Sequence, residues 1–79
     1  MVVRVRLFSD IRNFLPPDSV GDTCELNTGS GISVGELKSL LGIPEEKRCV
    51  VTINDTNRRD DFVLNEQDLV KIFPVAMGG

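Results

Sequence analysis

The sequence closes on Gly78 and Gly79, directly behind the largely apolar run IFPVAM. Glycine has no Cβ, so a Gly-Gly end fits a channel too narrow for any side chain and adopts backbone angles closed to other residues. Such an end is expected to offer its carboxylate to a partner enzyme. A carboxylate is anionic and resonance-stabilised, and it resists nucleophiles until one oxygen becomes a better leaving group. Adenylation by ATP is the usual solution, after which the carbonyl carbon accepts sulfur or an amine.

Other chemistries find less support. With no histidine among 79 residues, the commonest general base is absent. Asp10, Asp18, Asp22, Asp55, Asp60, Asp61 and Asp68 all fall in turns and loops, where a solvated carboxylate is the ordinary state. The glycines of TGSGIS precede a helix, but the Lys and Ser/Thr that complete a phosphate loop are missing. NRRDD, residues 57–61, reads as a charge-balanced turn, with a rim ion pair to a partner as the lesser alternative. Cys24 and Cys49 have no partner at metal-ligand spacing, so no metal site is expected, and both read as half-buried strand residues. No catalytic constellation of the chain's own and no bound cofactor are expected.

Four Phe without Trp or Tyr leave little to stack on bases, and a net charge of −3 gives no reason to approach phosphates, so a nucleic-acid partner is not expected. Apolar runs are short and MVVRVRLF lacks a contiguous signal-peptide core, so neither membrane nor export is expected and the protein is assigned to the cytoplasm. Hydrophobic residues at 41% and charged ones at 27% are globular proportions, so this small chain should bury a real core.

The elements that must position the terminus follow from periodicity. VVRVRLF alternates, placing Val3, Val5 and Leu7 on one face of a strand and Arg4, Arg6 and Phe8 on the other. In SDIRNFLPP, Ser9 or Asp10 is expected to cap a short helical turn that the prolines end. A second strand is expected over 22–27. SVGELKSLLGIP carries a capping box, Ser33 with Glu36, an apolar stripe of Leu37, Leu40 and Leu41, and a stop at Gly42 and Pro44, which predicts a helix over 34–41. CVVTIN, 49–54, reads as a strand closed by Asn54, Asp55 and Asn57. FVL, 62–64, reads as a short extended piece, and LVKIF, 69–73, as a last strand with Val70 and Ile72 inward. One helix can cover one face of a mixed four- to five-stranded sheet, an α+β two-layer domain.

Pro74 is expected to break the last strand, so that Val75, Ala76, Met77, Gly78 and Gly79 form a flexible arm, residues 75–79, on a domain of residues 1–74. If the first and last strands are neighbours, Phe8 and Phe73 lie together on the solvent face with Arg4, Arg6, Leu69 and Lys71. Two such Phe beside the root of the arm suit a docking anchor with a polar rim. The alternative is that one or both tuck against loops or the helix.

The element order together with VRLFSDIRNFLP, ISVGELKSLLGIP, VTIND and LNEQDLVKIFPVAMGG resembles the ubiquitin-like β-grasp sulfur carriers of the MoaD/ThiS group across essentially the whole chain. The resemblance implies that Gly79 is adenylated by an E1-like adenylyltransferase using ATP and becomes a thiocarboxylate fed by a sulfur donor system. Gly78 would keep the approach narrow. The thiocarboxylate would then pass sulfur to a synthase. The chain would be a non-catalytic carrier, and Phe8, Phe73, Pro74, Val75, Ala76 and Met77 would meet partners. A third hydrophobic contact position of the family falls near Asn57, which is polar. NEQD replaces the usual Asp-Gly-Asp turn, and ND the usual Asn-Gly. IFP before the tail is closer to the molybdopterin synthase small subunit, which implies a molybdopterin synthase large subunit as acceptor in molybdenum or tungsten cofactor synthesis. Thiazole synthase in thiamine synthesis is the alternative, as is a ubiquitin-like modifier joined to lysine.

Overall fold

A computed structural model describes residues 1–75 of the chain. The alternating start forms β1, Val2–Leu7, with Val3, Val5 and Leu7 fully buried and Arg4 and Arg6 exposed. β2, Thr23–Asn27, returns antiparallel in a register that sets Cys24 against Val5 and Leu26 against Val3. There follow α1, Val34–Leu41, β3, Cys49–Ile53, β4, Thr56–Arg58, and β5, Leu69–Pro74. The sheet order is β2-β1-β5-β3-β4, with β5 parallel to β1 and antiparallel to β3. This is the expected α+β β-grasp, with five strands and the helix packed on one face. The element latest in sequence occupies the middle of the sheet, with Val70 and Ile72 fully buried beneath it.

α1 forms where its caps dictate. Ser33 Oγ accepts from the Glu36 N–H at 3.1 Å and Glu36 Oε1 accepts from the Ser33 N–H at 3.0 Å, satisfying two N-terminal donors reciprocally. Gly42 ends the helix at φ 83°, left-handed geometry that a Cβ would penalise, and its N–H donates to Ser39. The buried stripe is Val34, Leu37 and Leu41 rather than Leu37, Leu40 and Leu41, and Leu40 is 66% exposed. Adjacent residues sit about 100° apart on a helix, which carries Leu40 off the face that Leu41 buries.

Two further expectations are corrected and a third is refined. Neither Ser9 nor Asp10 caps the turn after β1: Ser9–Phe14 is a 3-10 helix whose cap position is Phe8, without a side-chain bond. The Asp10 carboxylate instead accepts from Lys47 Nζ at 2.7 Å. Phe62–Leu64 is extended as expected but joins no strand of the sheet, its Val63 making an isolated antiparallel bridge with Ser33. Its backbone serves the helix approach, with the Val34 N–H donating to Phe62 and the Leu64 N–H to Ile32, while Leu64 enters the core. The remaining strand is β4, which takes Asn57 and Arg58 out of the supposed turn. Arg58 lies 4.6 Å above the Phe62 ring, and Asp60 accepts from Lys38 at 2.8 Å.

The hairpin joining β3 to β4 turns on Asn54 and Asp55, at φ 50° and 71°. This is the pair of positive angles that two-residue hairpins require. Asp68 pins this turn to the one before β5. Its carboxylate is buried, against the expectation of a solvated acid, and accepts from Asn54 Nδ2 at 2.9 Å and from the Asn65 N–H at 2.8 Å. Asn54 Oδ1 in turn accepts from the Leu69 N–H at 3.0 Å.

Candidate functional site

β1 and β5 are parallel neighbours, pairing Arg4 with Leu69, Arg6 with Lys71 and Leu7 with Ile72. Period-two alternation then sends Phe8 and Phe73 to the face opposite the helix. They stack there with ring centroids 4.3 Å apart and planes 18° from parallel. Each is half-buried, and the rings stack on each other rather than tucking into loops or the helix. Arg6 lies 4.8 Å over the Phe8 ring and is held by Asp22 at 3.0 Å. Lys71 is held by Asp55 at 3.1 Å. The result is an apolar plate with a charged rim in which Arg6 and Lys71 are already paired, so that it can take up a flat apolar surface without moving those side chains far.

Sequence reading missed one member of this plate. Val50 on β3 pairs directly with Phe73 and is 40% exposed, extending the row Phe8–Phe73–Val50 across three strands. The signal was present in CVVTIN, where Val50 alternates with the buried Val51. Asn57 lies further out, paired with Thr52 on the edge strand.

Pro74 does not break β5 but ends it, opposite Cys49, and the Val75 N–H still donates to the Arg48 carbonyl at 3.0 Å. The register explains this. Asn54 bonds Leu69 and Arg48 bonds Val75, so the hydrogen-bonded pairs of β3 and β5 fall on alternate residues that skip Pro74. Its missing N–H would have faced β1, which has already ended at Leu7. The root of the tail is thus held in line with the sheet as far as Val75, which is 42% exposed. Ala76, Met77, Gly78 and Gly79 lie outside the described residues.

The remaining candidates do not assemble a reaction centre. Asp10 and Asp22 have carboxyls held below their ordinary value, first by the side-chain hydrogen bonds from Lys47 and Arg6 respectively. Cys24 and Cys49 are free thiols on β2 and β3, and burial pushes both above the ordinary thiol value, away from the nucleophilic thiolate. Among the described residues no group of three or more His, Cys, Asp or Glu could hold a metal, and no helix is long and apolar enough to cross a membrane.

Solved structures of similar fold match nearly the full chain. Small archaeal modifier protein 1 of Haloferax volcanii covers 95% of this chain with 98% of its own, at TM-score 0.71 and 17% identity. A candidate molybdopterin converting factor subunit 1 of Pyrococcus furiosus covers 95% with 98% of its own, at 0.72 and 20%. A chain from the complex of subunits 1 and 2 of the molybdopterin-converting factor of Helicobacter pylori 26695 covers all of this one with all of its own, at 0.63 and 21%. No curated protein matches the sequence. The model of the ThiS family matches residues 5–79, from the middle of β1 through both terminal glycines, and the chain belongs to the ThiS family.

Proposed function

We propose that the protein is a sulfur carrier whose working group is the Gly79 carboxylate and whose β-grasp domain is the handle by which partners hold it. One carboxylate oxygen attacks the α-phosphorus of ATP on an E1-like enzyme, forming the acyl adenylate and releasing pyrophosphate. Hydrosulfide from a sulfur donor then adds to the carbonyl carbon and AMP leaves, which creates the thiocarboxylate. A synthase consumes that sulfur. The observation that carries the reading is the Phe8–Phe73 stack, placed on the strand that runs into the tail, within a family match that includes Gly78 and Gly79.

The acceptor is proposed to be the large subunit of a molybdopterin synthase, since IFP precedes the tail. The likeness to one chain of the two-subunit molybdopterin-converting factor complex is compatible with that pairing. Thiazole synthase is the alternative acceptor. The fold shared with the small archaeal modifier admits a second outcome, amide formation with a lysine by the same activated glycine.

Intact mass spectrometry after incubation with an E1-like enzyme, ATP and a sulfide source tests the carrier reading. A mass gain equal to the exchange of one oxygen for sulfur, mapped to Gly79, is expected. A mass that stays unmodified beside a competent control carrier refutes it, and isopeptide remnants of the tail on other proteins reassign it to a modifier. Capture of a molybdopterin synthase large subunit rather than a thiazole synthase fixes the branch.

A further inference from the structure

Past Val50, the Phe8–Phe73 face runs into a notch in the edge of the sheet. β3 begins at Cys49, but its neighbour β4 ends at Arg58, opposite Val51. The Asn54 and Arg48 rungs assign the even-numbered residues of β3 to bonds with β5, so Cys49 turns its N–H and C=O toward the β4 side, where the pairing has already run out. Those two groups have no backbone partner among the described residues. The space left there is a cavity of about 480 Å³ lined by Cys49, Val50, Val51, Asn57, Arg58, Arg59 and Asp60.

Two guanidinium groups line this notch, and neither Arg58 nor Arg59 has an ion-pair partner among the described residues. Arg58 is steadied by the Phe62 ring at 4.6 Å, a contact that uses no hydrogen bond. The one acid in the lining, Asp60, is held by Lys38 at 2.8 Å and so brings its own counter-ion. Asp61 is exposed and does not line the cavity, and Glu45 lines a different one. The notch therefore holds two cations without a protein counter-charge, a property of this spot in a chain whose net charge is −3.

We propose that this notch receives an Asp or Glu side chain of the protein that docks on the Phe8–Phe73 plate, its carboxylate accepting from Arg58, Arg59 and the Cys49 N–H. The identity of that partner rests on the carrier reading, and the chemistry rests on the notch. Val50 belongs both to the plate and to the lining, so a protein lying flat on the plate covers the notch as well. Covering it takes water from two guanidinium groups, and a cation that loses water without gaining a counter-charge is costly. A carboxylate supplies that charge in the planar form that Arg pairs with bidentately. A wholly apolar surface is penalised at the same spot, which makes the notch a specificity determinant. The chain's own terminal carboxylate is the poorer occupant, because its root at Val75 bonds Arg48 from the β5 side of β3 and the notch lies on the β4 side.

The test is thiocarboxylation of the full chain by an E1-like enzyme with ATP and sulfide, measured over a range of chain concentrations. Arg59→Glu, a change at an exposed residue, is expected to raise KM about tenfold or more and to leave kcat within about twofold, as for a contact kept throughout the reaction. The neutral Arg59→Gln is expected to fall between that variant and the parent, and circular dichroism reads the fold of each. Arg58→Lys, which keeps the charge and loses the fork, is expected to raise KM severalfold. Asp18→Lys lies by the far edge strand β2 and restores the net charge of Arg59→Glu, but is expected not to restore KM. Hydrogen exchange at the Cys49 amide is expected to slow in the complex with the enzyme. Unchanged KM for Arg59→Glu, rescue by Asp18→Lys or unslowed exchange at Cys49 would each overturn the proposal. Inorganic phosphate that moves the Arg58 and Arg59 NMR signals as far as the enzyme does would replace it with a small-anion site, and movement of those signals on deletion of Gly78 and Gly79 would replace it with the chain's own tail. A parent chain that gains no mass overturns the carrier reading instead, whereas a parent that gains mass and variants that match it overturn the notch alone.

Discussion

Asp68→Ala is expected to be among the most damaging single changes outside the apolar core. The substitution removes an acceptor that two donors share, Asn54 Nδ2 at 2.9 Å and the Asn65 N–H at 2.8 Å. Bonds to a charged acceptor contribute about 1.5–3 kcal/mol each, and a buried donor left unpaired costs about 1–3 kcal/mol. The two donors are only partly buried, so water recovers some of this, and a net loss of roughly 2–4 kcal/mol is expected. The loss is amplified through Asn54, whose Oδ1 receives the Leu69 N–H at 3.0 Å and whose φ of 50° needs holding. A chain of this size is stable by about 4–12 kcal/mol in total, so the variant stands near half-unfolded or well below the parent midpoint. Urea denaturation followed by circular dichroism reads the change. Asp68→Asn, which keeps one acceptor oxygen, should lie between variant and parent. A loss under about 0.5 kcal/mol, or Asn and Ala variants of equal stability, would refute the view that this carboxylate locks the two turns together.

The turn before β5 also holds Gln67 at φ 67°. Gln67→Gly is expected to stabilise by about 1 kcal/mol, raising the thermal midpoint by several degrees, because glycine meets no Cβ penalty there. Ser33→Ala, which breaks the capping box, is expected to cost about 1 kcal/mol by urea titration. Phe73→Ala is expected to weaken docking to the activating enzyme or the synthase by roughly 2 kcal/mol in calorimetry, and unchanged affinity for both would retire the plate as an anchor. The carboxyl of Asp10 should titrate below 3.8 by NMR, and Lys47→Met should raise its midpoint. A depressed folded value means that the contribution of this pair is present above the unfolded value and is lost as pH falls through the folded one, so the pH dependence of stability in that acidic window should flatten in the variant.

Those elements that carry their own local signature were legible from residues alone. β1 alternates without exception, and α1 is bracketed by a reciprocal cap and a left-handed glycine, so both follow from rules that need no tertiary knowledge. β4 was not legible because Thr56, Asn57 and Arg58 are all exposed and show no apolar period. It exists because the Asn54–Asp55 turn folds it against β3. Leu40 reads as core in the sequence because three leucines lie within five residues, while Val34 in fact completes the buried stripe. The Phe8–Phe73 site could be read only conditionally. Alternation assigns each ring a face, but a parallel pairing between residues more than sixty positions apart is a property of the sheet. Asp68 was misread since burial of an acid depends on its donors, one from its own turn and one arriving from the β3–β4 turn.

The position of β5 has a mechanical consequence. Tension applied through Val75 acts along a strand bonded on both sides, to β1 and to β3, so it loads both ladders in shear rather than peeling them bond by bond. A partner that grips or draws on the end of the chain therefore meets a rigid anchorage. The force passes into the middle of the sheet rather than unravelling the domain from its edge.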